Sequence, residues 1–372
     1  MMTKTKFLIF FVLLIFVIIG CKNKRKEHLI VTEHNSEIKL ITSFPPYINI
    51  PPGMVWIPGK QFMQGALSND SLAMSHEKPH HPVAVDGFFI DLTEVTNAQF
   101  KEFVQETGYT TLAERKVDWN EMKKELPPGT PKPNDSILQP GSLIFKKPQS
   151  KILNMYNYSQ WWEWKIGANW KHPNGPNSTI DGKDDYPVVH IAYEDALAYC
   201  KWANRRLPTE AEWELASRGK EIESIYTWGN SDTSLHQKAN TWNGTFPNLN
   251  TKKDGFESIA PVQSFSPNSM ELYDMAGNVW EWTQDWYNTN YYNELSKKGV
   301  TLNPLGPELP YNPNNALAQE KVIKGGSFLC NKSYCASYRN SARMANSKDS
   351  SSEHLGFRTV VTINMIKNPI EK

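Results

Sequence analysis

The chain has 372 residues, with 40 Lys and Arg against 39 Asp and Glu, for a net charge of +1. This near-neutral balance argues against a nucleic-acid partner held on a basic face. With 13 Trp and 25 Pro, the composition favours an aromatic core and irregular loops over long helices. The length would allow two domains, but no Ser/Gly-rich linker or internal repeat interrupts residues 51–365, which read as one large unit.

The amino terminus reads as a targeting segment. Lys4 and Lys6 precede an apolar run, Phe7 to Ile19, that ends in Gly20-Cys21. The run is too short for a comfortable membrane span, and a small residue before cysteine fits a signal-peptidase site. Residues 1–20 are therefore expected to be a lipoprotein signal peptide, with Cys21 as the lipidated residue. An ordinary signal anchor is the alternative, and both place the remainder outside the inner membrane, periplasm-facing or at the outer membrane. Residues 21–50 lack a sustained apolar period and read as a tether, with the basic run Lys22–Lys26 either touching anionic lipid or simply solvated.

Beyond the tether, Met54 to Gly59 and Phe62 to Gly65 alternate apolar residues around a glycine turn, which predicts a hairpin. Pro82 to Ile90 predicts a second strand pair. A helix is expected from Asn97, as N-cap, to Gly108, burying Phe100, Phe103 and Val104. Glu114 to Tyr158 shows no clear period and reads as loops. The aromatic cluster Trp161-Trp162 and Gly167 to Pro173 suits either a groove wall or core packing. Pro187 to Ile191 reads as a buried strand, with His190 structural. The next helix, Glu194 to Asn204, has Ala196, Leu197, Cys200 and Trp202 spaced for burial. Thr209-Glu210-Ala211-Glu212 forms a capping box opening a helix that runs to Gly219. Its Glu210, Glu212 and Glu214 are better read as caps and salt-bridge partners than as acid/base groups.

Two later segments are rich in oxygen donors around tight turns, Asn240 to Phe256 and Asp274 to Glu281. Hard donors of this kind suit Ca2+ better than a transition metal, although no EF-hand spacing is present. A polar insertion then runs to about Gln319, either as a substrate-facing loop or as a solvated excursion. The stretch 324–358, KGGSFLCNKSYCASYRNSARMANSKDSSSEHLGFR, holds Cys330 and Cys335 five apart in a Gly-, Ser- and Asn-rich frame. That spacing is not CxxC and has no second pair for zinc. A disulfide, two inert buried thiols and a soft, low-coordinate site for an ion such as Cu(I) all remain open on spacing alone.

The string from Gly325-Gly326-Ser327 through Cys330, Tyr334-Cys335, Arg339, Arg343 and Asp349 to Leu355-Gly356-Phe357-Arg358 resembles the formylglycine-generating enzymes, also called sulfatase-modifying factors. The 54–65 and 82–97 blocks, with Thr107-Gly108-Tyr109, resemble the same family's amino-terminal signature. The resemblance implies an irregular, loop-rich α+β fold, a relative of the C-type-lectin fold, filling residues 51–365 and leaving 366–372 as a tail. It also implies copper-dependent oxidation, with O2, of a cysteine in a CxPxR segment of a sulfatase to formylglycine. Cys330 and Cys335 would hold Cu(I), the substrate cysteine would join as a third sulfur ligand, and loss of a Cβ hydrogen would give a thioaldehyde that hydrolyses. Ser327 and Tyr334 would position O2 or protons, and Trp280 or Trp282 would border the oxygen pocket. Asn240, Thr241, Asp254 and Phe256 match one family calcium site, and Asp274, Gly277, Val279 and Glu281 match a second.

The partners implied are unfolded sulfatase chains, O2 and a thiol reductant. Several positions depart from relatives. Asn340 and Thr359 replace cysteines, leaving Cys200 as a free thiol; Asn331 replaces a histidine, and His354 an asparagine. Two other readings differ in class. One is a non-catalytic envelope lipoprotein using this fold as a scaffold, of the gliding or secretion type, and the cysteine pair argues against it. The other is an iron-dependent sulfoxide synthase, which needs a facial set of histidines that the sequence does not offer.

Overall fold

Apolar residues dominate β1 (Met54–Ile57), β3 (His81–Val85) and β4 (Phe88–Asp91), which are mostly buried, while β2 (Lys60–Gln64) buries Phe62 and Gln64. β1 pairs with β4 and β2 with β3, both antiparallel, in one continuous register from Met54 opposite Asp91 to Gln64 opposite His81. The two expected hairpins are therefore one long ribbon, bent where Pro58-Gly59 lies beside Asp86-Gly87. Glycines that look like local turns in the sequence serve as a corner. The Gly59 and Gly87 amides both donate to the Ile41 carbonyl, at 3.0 and 2.8 Å, and a Cβ on Gly87 would enter the Trp56 ring.

The computed structural model describes residues 38–368. The expected signal segment, Cys21 and the Lys22–Lys26 run lie outside the described residues. The compact unit starts at Ile38, so the end of the expected tether belongs to the body. Besides the Ile41 carbonyl, Phe44 stands edge-on to Trp56 and Phe89 at 6.1 and 6.0 Å.

Helix α1 (Asn97–Thr107) begins at the residue expected to cap it, so the cap lies one residue earlier. Thr96 is the N-cap: its hydroxyl accepts from Gln99 N, and Gln99 Oε1 accepts from Thr96 N at 2.9 Å. Asn97 is freed from that role and donates its amide to Lys183 O. Gly108, at φ 66°, ends the helix, as the left-handed cap requires. Phe100 and Phe103 pack against Tyr199 and Trp170.

The supposed loop 114–158 contains α2 (Trp119–Met122) and β5 (Gly141–Phe145), which pairs with β6 (Trp162–Ile166). Leu143, Ile144 and Phe145 form an unbroken apolar run, so no alternation marks them. Pro187 to Ile191 is buried but is not a strand. Its amides bond irregularly, Val188 N to Val95 O and His190 N to Ser352 O, and His190 sits at φ 60°.

Helix α3 (Tyr193–Trp202) buries Ala196, Tyr199 and Cys200. Leu197 is 42% exposed, contrary to its expected burial, because it falls on the face away from α1. Helix α4 (Glu210–Arg218) is buried along its whole length. Its capping box is present, with Thr209 N donating to Glu212 Oε2 at 2.8 Å and Glu212 N to the Thr209 hydroxyl at 3.1 Å. As expected of its acids, Glu210 pairs with Arg343, Glu212 with Arg206, and Glu214 with Arg218 and Lys324.

A short ribbon, β7 (Gly244–Thr245) with β8 (Leu249–Asn250), precedes the sheet that carries the cysteine loop. That sheet has the order β11 (Met344–Ser347), β10 (Glu320–Lys324), β9 (Trp280–Trp286), β12 (Leu355–Gly356). The architecture is mixed α+β with few helices and long connections, as expected.

The corner generates a prediction. Gly87→Ala forces a methyl against Trp56 and the Ile41 carbonyl, and overpacking of this kind costs about 1–3 kcal/mol. A lowered thermal midpoint with retained far-UV circular dichroism is the expected outcome.

Candidate active site

Strand β10 delivers the chain to Gly325 and Gly326, at φ 89° and 74°. A Cβ on Gly326 would lie 2.9 Å from the backbone of Ser337 and Tyr338, so glycine lets the two legs of the loop touch. Between the legs, the Asn331 carbonyl accepts from Tyr334 N, Cys335 N and Ala336 N at 2.9, 3.0 and 3.1 Å. The Asn331 side chain donates to Trp242 O and Gly244 O and accepts from Ser333. The residue that replaces a histidine thus organises the turn. Cys330 is 1% exposed, whereas Cys335 is half-buried. Their Cα atoms are 5.5 Å apart and the sulfurs are joined as a disulfide. The pair therefore faces outward on the Cys335 side only.

The oxygen-rich segments clamp this loop. Gly277 N donates to Gly325 O and Phe328 N to Asn278 O, both at 2.8 Å, and Trp242 N donates to Cys330 O at 3.0 Å. In the first segment the Asp254 carboxylate accepts from Thr241 N, Asn243 Nδ2 and Phe256 N. Burial pushes its carboxyl up. The neighbouring Thr241 hydroxyl is buried with no hydrogen-bond partner, and Asn240 spends its amide hydrogens on Ser258 O and Asn278 Oδ1.

In the second segment, burial pushes Asp274 up to about 6; its Oδ2 accepts from Gln263 N. Gly277 and Asn278 adopt left-handed conformations, and Val279 is fully buried. Glu281 is committed to Arg358 through both oxygens at 2.7 Å and also accepts from the Trp213 indole. A residue the sequence reading passed over, Glu94, is fully buried beside this segment. Its Oε1 accepts from Asn278 while Oε2 has no partner. Burial and the nearby Asp274 hold its carboxyl well above the usual range. Spacing gave no hint of it, since Glu94 lies far away in sequence.

Among the described residues no three His, Cys, Asp or Glu side chains converge on one point as a metal site. A hard cation at either segment would therefore depend on backbone and amide oxygens as well as carboxylates. The orphaned Thr241 hydroxyl and Glu94 Oε2 are oxygens of that chemistry.

Ser327 is fully buried, and its hydroxyl accepts from Leu329 N at 3.3 Å. Tyr334 stacks on Phe246, with ring centroids 4.1 Å apart, and stands edge-on to Trp161 at 6.0 Å; burial pushes its phenol up. Trp280 and Trp282 share a buried cluster with Cys330, and the Trp282 indole donates to Ile191 O. Trp161 is buried, whereas Trp162 is half-buried and lies 4.9 Å from the His354 ring.

The departures from relatives are locally satisfied. Asn340 accepts from the Ser217 hydroxyl at 2.6 Å and donates to Ser224. Thr359 donates to Asp91 through both amide and hydroxyl. Cys200 is a free, buried thiol, which burial pushes up. His354 bonds the Ser352 hydroxyl at 2.8 Å, and burial takes it down to about 3. His190, structural as expected, contacts Pro173 O. Exposure predicts reactivity here: after reduction, native-state alkylation mapped by mass spectrometry should label Cys335 first, with Cys200 reacting only once the protein is unfolded.

Residues 44–363 match the sulfatase-modifying factor enzyme 1-like domain. The formylglycine-generating enzyme of Bos taurus is 41% identical over 309 residues, covering 83% of this chain and 74% of that protein. That of Thermomonospora curvata is 41% identical over 311 residues, covering 83% of this chain and 93% of its own length. The inactive C-alpha-formylglycine-generating enzyme 2 of Mus musculus is 35% identical, over 82% of this chain and 85% of that one. The structure of PvdO from Pseudomonas aeruginosa shares the fold, with a TM-score of 0.54 at 21% identity over 83% of this chain and 94% of that one. The chain thus belongs to the formylglycine-generating enzyme family and is an enzyme of that kind, an oxidase acting on a cysteine.

Proposed function

We propose that this enzyme converts the cysteine of a CxPxR segment in sulfatase chains to formylglycine, using O2 and a copper ion held by Cys330 and Cys335. The observation that carries this reading is the placement of the pair, with one sulfur sealed in the core and the other half-open, on a loop whose backbone is fixed from two sides. Once reduced to thiolates, the two cysteines, with no third His, Cys, Asp or Glu converging on them among the described residues, fit a soft, low-coordinate ion. Bound there, copper would supply a redox-active centre at which a further thiolate and O2 meet.

The chain's own residues have separate tasks. Cys330 anchors from the buried side, so the substrate cysteine approaches from the Cys335 side. Trp280 and Trp282 keep water from the inner face, which strengthens polar interactions inside the site. The Ser327 hydroxyl accepts from Leu329 N and keeps its own hydrogen to donate. The Tyr334 phenol, pushed up by burial, stays protonated at neutral pH and donates a hydrogen bond next to Cys335. Oxidation of the cysteine does not supply all the electrons that O2 takes up, so a thiol reductant supplies the rest.

Ca2+ fits the two oxygen-rich segments. Asn240, Thr241, Asp254 and Phe256 would hold one ion; Asp274, Gly277 and Val279 would hold the other, with Glu281 fixed beside them by Arg358. Both ions would act by stiffening the clamp on the cysteine loop. Export through the 1–20 segment and a lipid on Cys21 would place the enzyme where translocated, unfolded sulfatase chains emerge.

Two outcomes are expected. Purified protein with Cu(I), O2 and a thiol reductant should convert a CxPxR peptide to the aldehyde by mass spectrometry, and Cys335→Ser should lower the rate at least ~100-fold, the scale of losing an essential catalytic group. A double Cys330→Ser, Cys335→Ser variant that still performs the biological task would instead favour the scaffold role. Separately, Ca2+ at about 100 times its dissociation constant should stabilise the fold by about 2.7 kcal/mol, read as a raised thermal midpoint that Asp254→Asn diminishes.

A further inference from the structure

The segment 38–53 carries apolar side chains that the body does not cover. Ile41, Phe44, Tyr47 and Ile50 recur three residues apart and are exposed, Tyr47 at 98%. They are nonetheless fixed. The Ile41 carbonyl accepts from the Gly59 and Gly87 amides, Phe44 stands against Trp56 and Phe89, and Ile48 packs in one cluster with Met54, Trp56, Met365 and Ile366. Ile48 N donates to Pro45 O at 3.2 Å, a turn that puts Tyr47 at its tip. A strap held in this way cannot fold Tyr47 and Ile50 inward, so only something outside the body can cover them.

Charge, backbone chemistry and chain length point to the same occupant. No acidic residue occurs between 38 and 53 or in the adjoining short helix Ile363–Lys367, whereas Lys39 and Lys367 are exposed there. A tyrosine at a tip with basic residues around it is the composition of a surface that sits at lipid headgroups. Pro45, Pro46, Pro51 and Pro52 lack an amide hydrogen, so the strap brings few unpaired donors to an apolar phase. The strap also follows the expected lipid anchor directly. Residues 22–37 reach at most roughly 55 Å from Cys21, which keeps an anchored body at the surface and turns a contact that a free protein makes weakly into the resting state.

Resting on the lipid anchor proposed above, we propose that the strap 38–53 is a second membrane contact: Tyr47 and Ile50 enter the headgroup region of an anionic bilayer, Lys39 and Lys367 face its phosphates, and the anchored enzyme is thereby oriented. The face belongs to a different cluster from Phe246, Trp161 and Tyr334 beside Cys335, so docking engages none of those residues.

The test uses residues 22–372, which contain the whole compact unit without an acyl chain, and vesicles of phosphatidylethanolamine and phosphatidylglycerol in equal parts. At millimolar lipid, the concentration that a short tether supplies, flotation should show binding. Tyr47→Ser with Ile50→Ser should weaken it at least about tenfold at an unchanged thermal midpoint, since neither side chain is buried. Leu153→Ser with Tyr156→Ser, which removes exposed apolar groups from another segment, should leave binding unchanged. No binding, equal loss in the two double variants, or self-association without vesicles that the Tyr47 and Ile50 changes abolish would overturn the assignment, the last in favour of a second copy of the chain. Mass spectrometry of the protein extracted from membranes separates the two readings. Cys21 without a lipid refutes the anchor alone, while vesicle binding that needs Tyr47 and Ile50 keeps the strap as assigned.

Discussion

The backbone bonds from the cysteine loop to Gly277, Asn278 and Trp242 are the constraint on which the rest of the site depends. A loop rich in Gly, Ser and Asn has no propensity to hold two cysteines in place, and ordering each residue costs about 1–2 kcal/mol of backbone entropy. The loop is offered amide and carbonyl partners from two neighbouring segments, which are themselves folded around the half-buried carboxylates of Asp254 and Asp274. A change at Asp254 or Asp274 is thereby transmitted to Cys330 through one or two hydrogen bonds.

Around this clamp lies a shell of buried ion pairs. Arg339, Arg343 and Arg358 are each at most 1% exposed, and each ties the last third of the chain to an earlier segment. Desolvation offsets most of the attraction in such pairs, so they add little net stability, yet removing one partner costs about 3–5 kcal/mol. Their effect is positional. Arg339 holds the return leg of the cysteine loop against Asp70 and Glu77, and Arg358 fixes Glu281 beside the second oxygen-rich segment. Against this neutralised background, burial holds the carboxyls of Glu94 and Asp274 high although Arg358 is near, and that of Glu353 high with no ion pair among the described residues.

Features of the site that lie within one short segment were legible in the sequence. The Thr209–Glu212 capping box, the Gly108 stop and the cysteine pair all have local signatures, and the structure bears out the first two residue by residue. What was not legible depended on distant partners. The glycines at 59 and 87 read as turns because a corner and a turn share the same residues, and only the Ile41 carbonyl distinguishes them. Thr96 took the cap from Asn97 because Gln99 completes a box with it. β5 was hidden by an apolar run without alternation. Glu94 and Glu353 gave no signal at all, because an unpaired carboxyl is defined by what surrounds it in space.

The central claim is that Cys330 and Cys335 form a soft two-thiolate site. Its most direct test is a competitive Cu(I) titration of the reduced protein, combined with X-ray absorption at the copper edge. The account predicts a single tightly bound ion with a first shell of sulfur alone, lost in both Cys330→Ser and Cys335→Ser. Binding that persists in the double variant, or a first shell dominated by nitrogen or oxygen, would contradict it.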